Sequence, residues 1–483
     1  MFCATQSFVL DGLEARRVRA EVAVHKGLPA FQITGTPDAA MRESRERIRA
    51  AIVNSGFDFP LRRITVNLAP SSVPAAPGLD LAIALALLGA SGQVDPLLVC
   101  TSPFVGELAL DGSVRAVPGA VAFAKAVAAN SLHEIVVPTE NGGEAALVKS
   151  IEVLTLDQLR SIDCLSGGGR RAHRAKPLSL QADPSEHAPD LYDLRGQAPV
   201  RRALTVAAAG GHSLLLEGPR GSGRSLAAAR LPSILPPLSE DEALEVALVS
   251  SCTGRPISGR PFRAPHHTIS PPGLAGANLP GEVTLAHRGV LYLDSLAEFR
   301  RDSLGALEAV LEGGPVFVGG RHRIFPAHTL LVGSVDPCPC GLARCVCAPA
   351  ALHRYRVRLE RVIASLFEIR CAVEAPSVTE LSGPPGESSA EVRERVCDAR
   401  ELQAERLGTG ICNADMGDQA ILEREYDAGA AALLNSSVRP HFRGVAFDRV
   451  MRVAQTLADL DGSQEIGHGH VEEAAGLVRP ERR

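Results

Sequence analysis

A glycine-rich segment that begins at Gly218 has the residue spacing of a phosphate-binding loop. It reads Gly-Pro-Arg-Gly-Ser-Gly-Arg-Ser, follows the strand-like run Leu214–Glu217 and precedes an alanine-rich stretch. Glycines allow consecutive backbone amides to turn toward phosphate oxygens, and a helix N-terminus adds a partial positive charge. In this pattern Ser225 would also bind Mg²⁺. The predicted ATP- or ADP-binding residues of the loop are Gly218, Gly221, Ser222, Gly223, Arg224 and Ser225.

The basic position of this loop is Arg224, where the motif has lysine. A lysine ammonium fits between the β- and γ-phosphates, whereas a guanidinium is larger and planar. The chain has only four lysines, so lysine-to-arginine drift in a GC-rich genome is one explanation that keeps partial function. Impaired phosphate chemistry and a glycine loop without a ligand are the alternatives.

The apolar run Gly289–Leu293 ends at Asp294 and predicts a second part of the same site. An aspartate at the end of such a strand holds Mg²⁺ through water in nucleotide-binding proteins. We therefore add Asp294 to the predicted nucleotide-binding residues and, with Ser225, to the candidate Mg²⁺ ligands.

Four cysteines lie close together in the pattern C-x-C-x₄-C-x-C, at positions Cys338, Cys340, Cys345 and Cys347. Four thiolates in one short loop suit tetrahedral Zn²⁺, which predicts a structural zinc site. Buried thiols without metal and redox chemistry are the alternatives. The adjacent His266 and His267 would point apart in an extended chain and could not easily share a metal, which favours packing or a partner contact.

The order of helical and strand-like patterns predicts an α/β protein with four segments. Residues 1–163 form an α/β domain, 164–190 a linker, 191–375 a parallel-sheet core containing the glycine loop and the cysteines, and 376–483 a helical domain. Predicted strands include Ala20–Val24, Glu134–Pro138 and Thr329–Val335, and predicted helices include Asp38–Asn54 and Asp448–Asp461.

Composition and charge exclude several classes of protein. The 483 residues are 45% apolar and 22% charged with a net charge of −5, which is typical of a globular protein without a general attraction to nucleic acid. A local basic stripe or ring pore could still hold DNA. No run approaches the ~20 apolar residues of a membrane helix, so we expect a cytoplasmic protein with no membrane partner.

These segments, together with Arg260–Ser270 and Asp336–Gly341, resemble the magnesium-chelatase-like competence family, the ComM/YifB family. The resemblance spans nearly the whole chain, with further matching stretches at Gly35–Ala40, Ile64–Pro70, Pro384–Val392 and Arg452–Leu460. It implies an AAA+ P-loop core, a Lon-like (ribosomal S5 domain 2-like) N-terminal domain and a C-terminal helical lid. It also implies a hexameric motor that uses ATP to move branched DNA during uptake and recombination.

Four positions depart from the family pattern at places that ATP hydrolysis uses. Ser295 stands where the family has a glutamate that activates water, and Asp336 where sensor 1 is asparagine, so that its carboxylate would repel the γ-phosphate unless protonated or metal-bound. The arginine finger falls on Leu366 and the sensor 2 arginine on Val445. The candidate substitutes are Glu298 for the base, if the chain curls back, and Arg361 and Arg443 for the arginines.

The leading hypothesis is therefore a ComM/YifB-like protein that binds ATP or ADP with impaired hydrolysis and acts in DNA uptake, branch migration or recombination. It would form a homo-hexamer or a mixed ring with an active paralogue. An active DNA-translocating ATPase and a nucleotide-free scaffold are the alternatives. No peptidase activity is expected, because the Lon-like serine and lysine positions fall on Gly78 and Val121.

Overall fold

The computed structural model describes residues 1–34, 38–70, 76–165, 173–179, 189–314, 316–318, 321–342, 345–422, 424–433 and 445–478. The chain divides into two compact units. Unit 1 comprises Met1–Ala182, Glu240–Gly259 and Asn278–Pro280, and unit 2 comprises Asp183–Ser239, Arg260–Ala277 and Gly281–Arg483. Within these described ranges, no helix combines the length and apolar character needed to cross a bilayer.

The strands are distributed along most of the chain. They are β1 (Phe2–Asp11), β2 (Glu14–His25), β3 (Ala30–Thr34), β4 (Arg63–Ala69), β5 (Glu107–Leu108), β6 (Val114–Arg115), β7 (Glu134–Pro138), β8 (Glu152–Leu156), β9 (His173–Arg174), β10 (Leu214–Glu217), β11 (Phe262–Arg263), β12 (Val290–Leu293), β13 (Val316–Val318), β14 (Arg321–Arg323), β15 (Leu330–Val335) and β16 (Ile369–Ala372).

The α-helices alternate with these strands and then dominate the C-terminal part. They are α1 (Asp38–Asn54), α2 (Asp80–Ser91), α3 (Pro96–Thr101), α4 (Ala120–Ala129), α5 (Thr139–Ala145), α6 (Ala198–Gly210), α7 (Arg224–Ala228), α8 (Leu231–Ile234), α9 (Glu240–Cys252), α10 (Pro271–Ala275), α11 (Glu282–Leu285), α12 (Arg301–Leu311), α13 (Pro349–Leu366), α14 (Val378–Leu381), α15 (Ser389–Leu407), α16 (Asp418–Leu422), α17 (Ala428–Leu433), α18 (Val445–Leu460) and α19 (His468–Leu477).

Unit 1 contains two larger sheets. In the first, the order is β1-β2-β4-β3, and the apolar helix α2 packs on β1 and β2 with nearly all of its residues buried. In the second, β7 pairs in parallel with β8, and β9 joins β8 antiparallel. The described part of the predicted linker includes β9, whereas residues 166–172 and 180–188 lie outside the described ranges.

Helix α9 belongs to unit 1 although it follows the glycine loop in sequence. Ala247 is fully buried in a cluster that includes Phe123. The Ser251 carbonyl accepts a hydrogen bond from the Gly119 amide at 2.8 Å, and the Ser251 hydroxyl donates to Glu144 at 2.9 Å. Unit 1 thus includes a helix from within residues 191–375, the segment that the sequence assigned to the parallel-sheet core. The predicted segment boundaries stay predictions.

Unit 2 is built on a parallel sheet with the strand order β11-β12-β15-β10-β16. Because the strands are parallel, the carboxyl ends of β10, β12 and β15 lie at one edge of the sheet, where ligands bind in open α/β sheets. This arrangement confirms the α/β class with a parallel-sheet core. The Lon-like and lid assignments remain predictions.

The C-terminal helices of unit 2 pack on one face of this sheet. Val396 of α15 and Leu457 of α18 share a fully buried cluster with Leu214 and Val332 of the sheet. A capping box starts α15, in which Ser388 bonds the Glu391 amide and the Glu391 carboxylate bonds back to Ser388. The helical pattern predicted after residue 376 is confirmed.

Candidate nucleotide site

The glycine loop runs from the end of β10 to the first turn of α7. Gly221 and Gly223 have φ values of 82° and 96°, a left-handed conformation that glycine adopts without strain. A Cβ at Gly218 would collide with the carbonyl oxygen of Val373, so this position also needs glycine. A Cβ at Gly221 would meet no atom of the described residues within 4 Å. The loop backbone is therefore open to solvent at Gly221 and closely packed at Gly218.

A cleft with a volume of about 720 Å³ lies over this loop. Its lining joins the loop to Asp294 and Ser295 from the end of β12, as the sequence predicts. It also includes His267 and Glu298. The lining residues are Arg220, Gly221, Gly223, Arg224, Ser225, Leu226, His267, Asp294, Ser295 and Glu298.

The loop cation Arg224 forms an ion pair with Asp336, which follows β15. The distance from Arg224 Nη2 to Asp336 Oδ1 is 2.8 Å, and the side chains are 7% and 12% exposed. A second guanidinium, that of Arg220, lies 3.3 Å from Asp336 Oδ2. The Asp336 charge is thus offset by pairing with two arginines, a partner set that the sequence did not indicate, and not only by protonation or a metal. The two residues that differ from the expected motif, Arg224 and Asp336, are thus in direct contact.

Two buried donors near the phosphate loop keep unused hydrogen-bonding capacity. In the described part of the chain, Arg224 Nη1 and Ser222 Oγ are buried and have no hydrogen-bond partner. Buried polar atoms are normally paired, so such atoms call for a ligand or water. Arg224 lines the cleft, whereas Ser222 is 1% exposed and is not among the lining residues, so Arg224 and the open backbone at Gly221 are the groups that fit a phosphate.

A chain of hydroxyl groups joins the two candidate Mg²⁺ ligands. Ser225 Oγ lies 3.1 Å from the Tyr292 hydroxyl, which donates to Asp294 Oδ1 at 3.0 Å. Ser334 donates to the same Asp294 oxygen at 2.6 Å. Burial raises the pKa of Tyr292 to about 12. Sequence reasoning missed Tyr292, although the two-residue period of a strand puts it on the same face as Asp294.

The cysteine-rich loop packs beside the phosphate loop. The sulfur atoms of the four predicted zinc ligands all lie within 4.8 Å of one another, and those of Cys338 and Cys340 are 3.3 Å apart. Hydrogen bonds from backbone amides lower the pKa of Cys340 to about 6. A Cβ at Gly341, inside the cysteine loop, would lie 3.0 Å from Arg220 Nε. The donor set fits a tetrahedral zinc ion.

The two adjacent histidines do not point apart. Their ring centroids are 4.0 Å apart. The ring centroids of His267 and Phe299 lie 6.5 Å apart in an edge-to-face arrangement. The prediction assumed an extended chain and was wrong, because residues 266–269 form a turn in which the Ile269 amide bonds the His266 carbonyl. His267 therefore reaches the cleft.

Comparisons with known proteins cover nearly the whole chain. Family models described as magnesium chelatase subunit ChlI, subunit ChlI of Mg-chelatase, and the ChlI C-terminal region match residues 190–381, 20–141 and 386–477. YifB of Escherichia coli (strain K12) is 37% identical, over 96% of this chain and 94% of its own length. Competence protein ComM of Haemophilus influenzae is 36% identical, over 96% and 95%. A protein of Mycobacterium tuberculosis (strain H37Rv) is 37% identical, over 95% of each.

The chain belongs to the magnesium-chelatase-like ComM/YifB family. At the position where the resemblance implies a water-activating glutamate, Ser295 adopts φ 55° and ψ 56°, and its amide donates to Ser334 Oγ at 2.9 Å. The following turn, closed by a 2.8 Å bond from the Glu298 amide to the Ser295 carbonyl, curls the chain back. Glu298 thereby lines the same cleft, which meets the condition set for it as a substitute base.

The two arginine positions that the resemblance implies differ in how far the structure describes them. Leu366, at the arginine-finger position, is 8% exposed and packs in an apolar cluster of unit 2. Arg361 lies five residues earlier on α13 and is exposed. Val445 begins α18, but its side chain and all of Arg443 lie outside the described part of the molecule. Both arginine assignments stay predictions.

Proposed function

We propose that this ComM/YifB-family protein binds ADP or ATP in the cleft of unit 2 and hydrolyses ATP at a strongly reduced rate. One observation carries the proposal. The only cation at the lysine position of the loop, Arg224, is engaged by Asp336 at 2.8 Å instead of being free to bridge the β- and γ-phosphates. The identity of the family supports nucleotide binding, and the site's own side chains support the loss of rate.

Nucleotide binding is supported by groups that do not depend on a lysine. The loop backbone contains two left-handed glycines, and Arg224, which lines the cleft, has a guanidinium nitrogen, Nη1, without a hydrogen-bond partner among the described residues. Hydrogen bonds from such groups to anionic phosphate oxygens are charge-assisted and are about twice as strong as neutral ones. The loop therefore retains a phosphate cradle.

Slow hydrolysis is supported by the groups around that cradle. Ser295 has no carboxylate to accept a proton from water. Leu366 is apolar and lies in the core, so this position supplies no charge to a neighbouring subunit. Loss of a charge-neutralising arginine costs about 10³ to 10⁵ in rate in related phosphoryl-transfer proteins.

The test combines ADP titration calorimetry with phosphate release from Mg-ATP by the purified full chain. We expect ADP binding and turnover at least about 10³-fold below the ~10 s⁻¹ median of enzymes. A Ser295→Glu variant is the matched gain-of-function probe, and Arg224→Ala is the control that weakens binding. Turnover near the ordinary enzyme range by the wild type would refute the reduced-rate proposal, and absence of ADP binding would leave the scaffold alternative.

A second candidate, an active ATPase that moves DNA, is favoured by one specific observation. Glu298 lines the cleft with Asp294 and Ser295, so a carboxylate is present near the position of the missing base. If Glu298 is the base, a Glu298→Gln variant would lose the ATP turnover of the wild type. If hydrolysis is already impaired, the same variant would change the low turnover of the wild type only slightly. Stimulation of phosphate release by branched DNA would support the second candidate.

The assembly and cellular role form a separate part of the proposal. A relative that is 36% identical is named competence protein ComM, which supports a role in DNA uptake, branch migration or recombination. We propose that the N-terminal domain is Lon-like without peptidase activity and that the C-terminal helices form a lid. We also propose that the protein is cytoplasmic and assembles as a homo-hexamer or as a mixed ring with an active paralogue. Light scattering of the purified chain with ADP and with branched DNA tests the ring and its DNA contact together.

We also propose that the four clustered cysteines hold a structural zinc ion. Their sulfur atoms lie close enough for one ion to bind all four after modest adjustment, because a Zn–S bond is about 2.3 Å. The ion would stiffen the loop between β15 and α13, which carries Asp336 at its start. Metal analysis of the purified chain, with a Cys340→Ser and Cys347→Ser double variant as control, tests this directly.

A further inference from the structure

The Tyr292 hydroxyl lies between the two candidate magnesium ligands. It forms hydrogen bonds with Ser225 and with Asp294, at 3.1 and 3.0 Å, and these are the two residues that would hold Mg²⁺ directly and through water. The hydroxyl of Tyr292 thus already connects the two ligands that the ion would connect.

Two further contacts fix this arrangement. Asp294 Oδ1 accepts a second hydrogen bond from Ser334 at 2.6 Å, so the oxygen facing Tyr292 is already occupied by two hydroxyl donors. Tyr292 is 3% exposed, and its ring stacks on Phe262 with a centroid separation of 6.2 Å. The tyrosine therefore has little room to swing away when a nucleotide enters.

Magnesium is poorly suited to such surroundings. The ion demands near-ideal octahedral geometry with oxygen ligands at about 2.0–2.1 Å and retains several waters. To bind Ser225 directly, the ion would compete with the Tyr292 hydroxyl for Ser225 Oγ, and a water linking it to Asp294 would compete with two hydroxyl donors at Oδ1. We propose that Tyr292 takes over the organising role of the ion, so that the site binds its nucleotide without Mg²⁺.

The charges at the cleft indicate which nucleotide this site prefers. Asp294 and Glu298 line the cleft with Arg220 and Arg224, and Asp336, which pairs with both arginines, adds one further negative charge to this group. A neutral tyrosine hydroxyl, unlike Mg²⁺, offsets none of the phosphate charge. The additional γ-phosphate is therefore disfavoured, and the ligand class that fits is a nucleoside diphosphate. This inference rests on the proposed nucleotide binding.

The experiment is calorimetric titration of the full chain with ADP and ATP, once with MgCl₂ and once with EDTA. For the wild type we expect ADP dissociation constants that agree within about twofold between the two buffers and weaker binding of ATP in both. In a Tyr292→Phe variant, which keeps the ring, Mg²⁺ should strengthen ADP binding by about tenfold, because the ion regains its two ligands. The matched control is Tyr426→Phe, which removes a hydroxyl that bonds the Ile421 carbonyl at 3.0 Å.

A second readout follows the metal itself. Paramagnetic resonance of Mn²⁺ with ADP should show no protein-bound ion in the wild type and a bound ion in the Tyr292→Phe variant. Wild-type ADP binding that strengthens tenfold or more with Mg²⁺ would overturn the inference but leave the proposed function standing. Failure to bind ADP in either buffer would instead overturn the proposed function.

Discussion

Replacement of Asp336 by asparagine is the most direct way to ask whether Asp336 holds Arg224 away from phosphate. Asparagine keeps the shape of the side chain and one oxygen that can accept from Arg224, but it removes the negative charge. Arg224 would then be a buried cation without a charged partner in the free protein. A bound phosphate can take the place of the lost carboxylate, so the substitution should strengthen ADP binding while it destabilises the free protein.

The expected size of the effect comes from the geometry of the ion pair. Opposite unit charges about 4 Å apart attract by about 4 kcal/mol at an effective dielectric constant of 20. The pair is only 7% and 12% exposed, so solvent screens it incompletely. If about a third of this attraction becomes available to phosphate, ADP binds about tenfold more tightly. The free protein should lose about 1–3 kcal/mol, because the buried guanidinium keeps only a neutral acceptor.

Calorimetry and thermal unfolding together measure both effects. The Asp336→Asn, Arg224→Ala and double variants form a mutant cycle, and the gain in ADP affinity should disappear when Arg224 is absent. Asp302→Asn is the matched control, since it changes an exposed aspartate that pairs with Arg300 outside the cleft. Unchanged or weaker ADP binding by Asp336→Asn would show that the carboxylate positions Arg224 for phosphate, and the reasoning would be refuted.

Three further predictions concern the base, the zinc loop and unit 1. Combining Ser295→Glu with Arg224→Lys should raise phosphate release above that of either single variant, as measured by steady-state kinetics; no gain would mean that other groups limit the rate. Zinc removal by a chelator should lower the unfolding temperature of the wild type but not that of the Cys340→Ser and Cys347→Ser variant. Burial raises the pKa of Asp80 to about 6 from 3.8, against the opposing effect of its Arg47 partner. The folded state therefore binds the extra proton, and the contribution to stability falls by up to about 3 kcal/mol as the pH rises from about 4 to about 6. Asp80→Asn should remove this fall in unfolding measurements at both pH values, and an equal pH dependence in the variant would contradict it.

Local sequence was sufficient to predict several helices and strands and several of the residues that form the site. Helix α1 begins and ends at the predicted residues, the capping box at Ser388 forms, and the strand leading to Asp294 is present. The C-x-C-x₄-C-x-C spacing correctly indicated that the four sulfur atoms lie close together. Each of these features depends on neighbours within a few residues, where backbone propensities and hydrophobic period act.

The features that define this particular site depend on tertiary structure. Arg224 and Asp336 are 112 residues apart in sequence, and Ser225 and Tyr292 are 67 apart, so only the pairing of β10, β12 and β15 brings them into hydrogen-bond range. The curl that places Glu298 in the cleft and the turn that brings the His267 ring against that of His266 are likewise absent from any periodic pattern. The residue types at these positions follow from the sequence, but a side chain's ion pairs and hydrogen bonds depend on through-space distances of a few ångströms that the packing of the sheet sets.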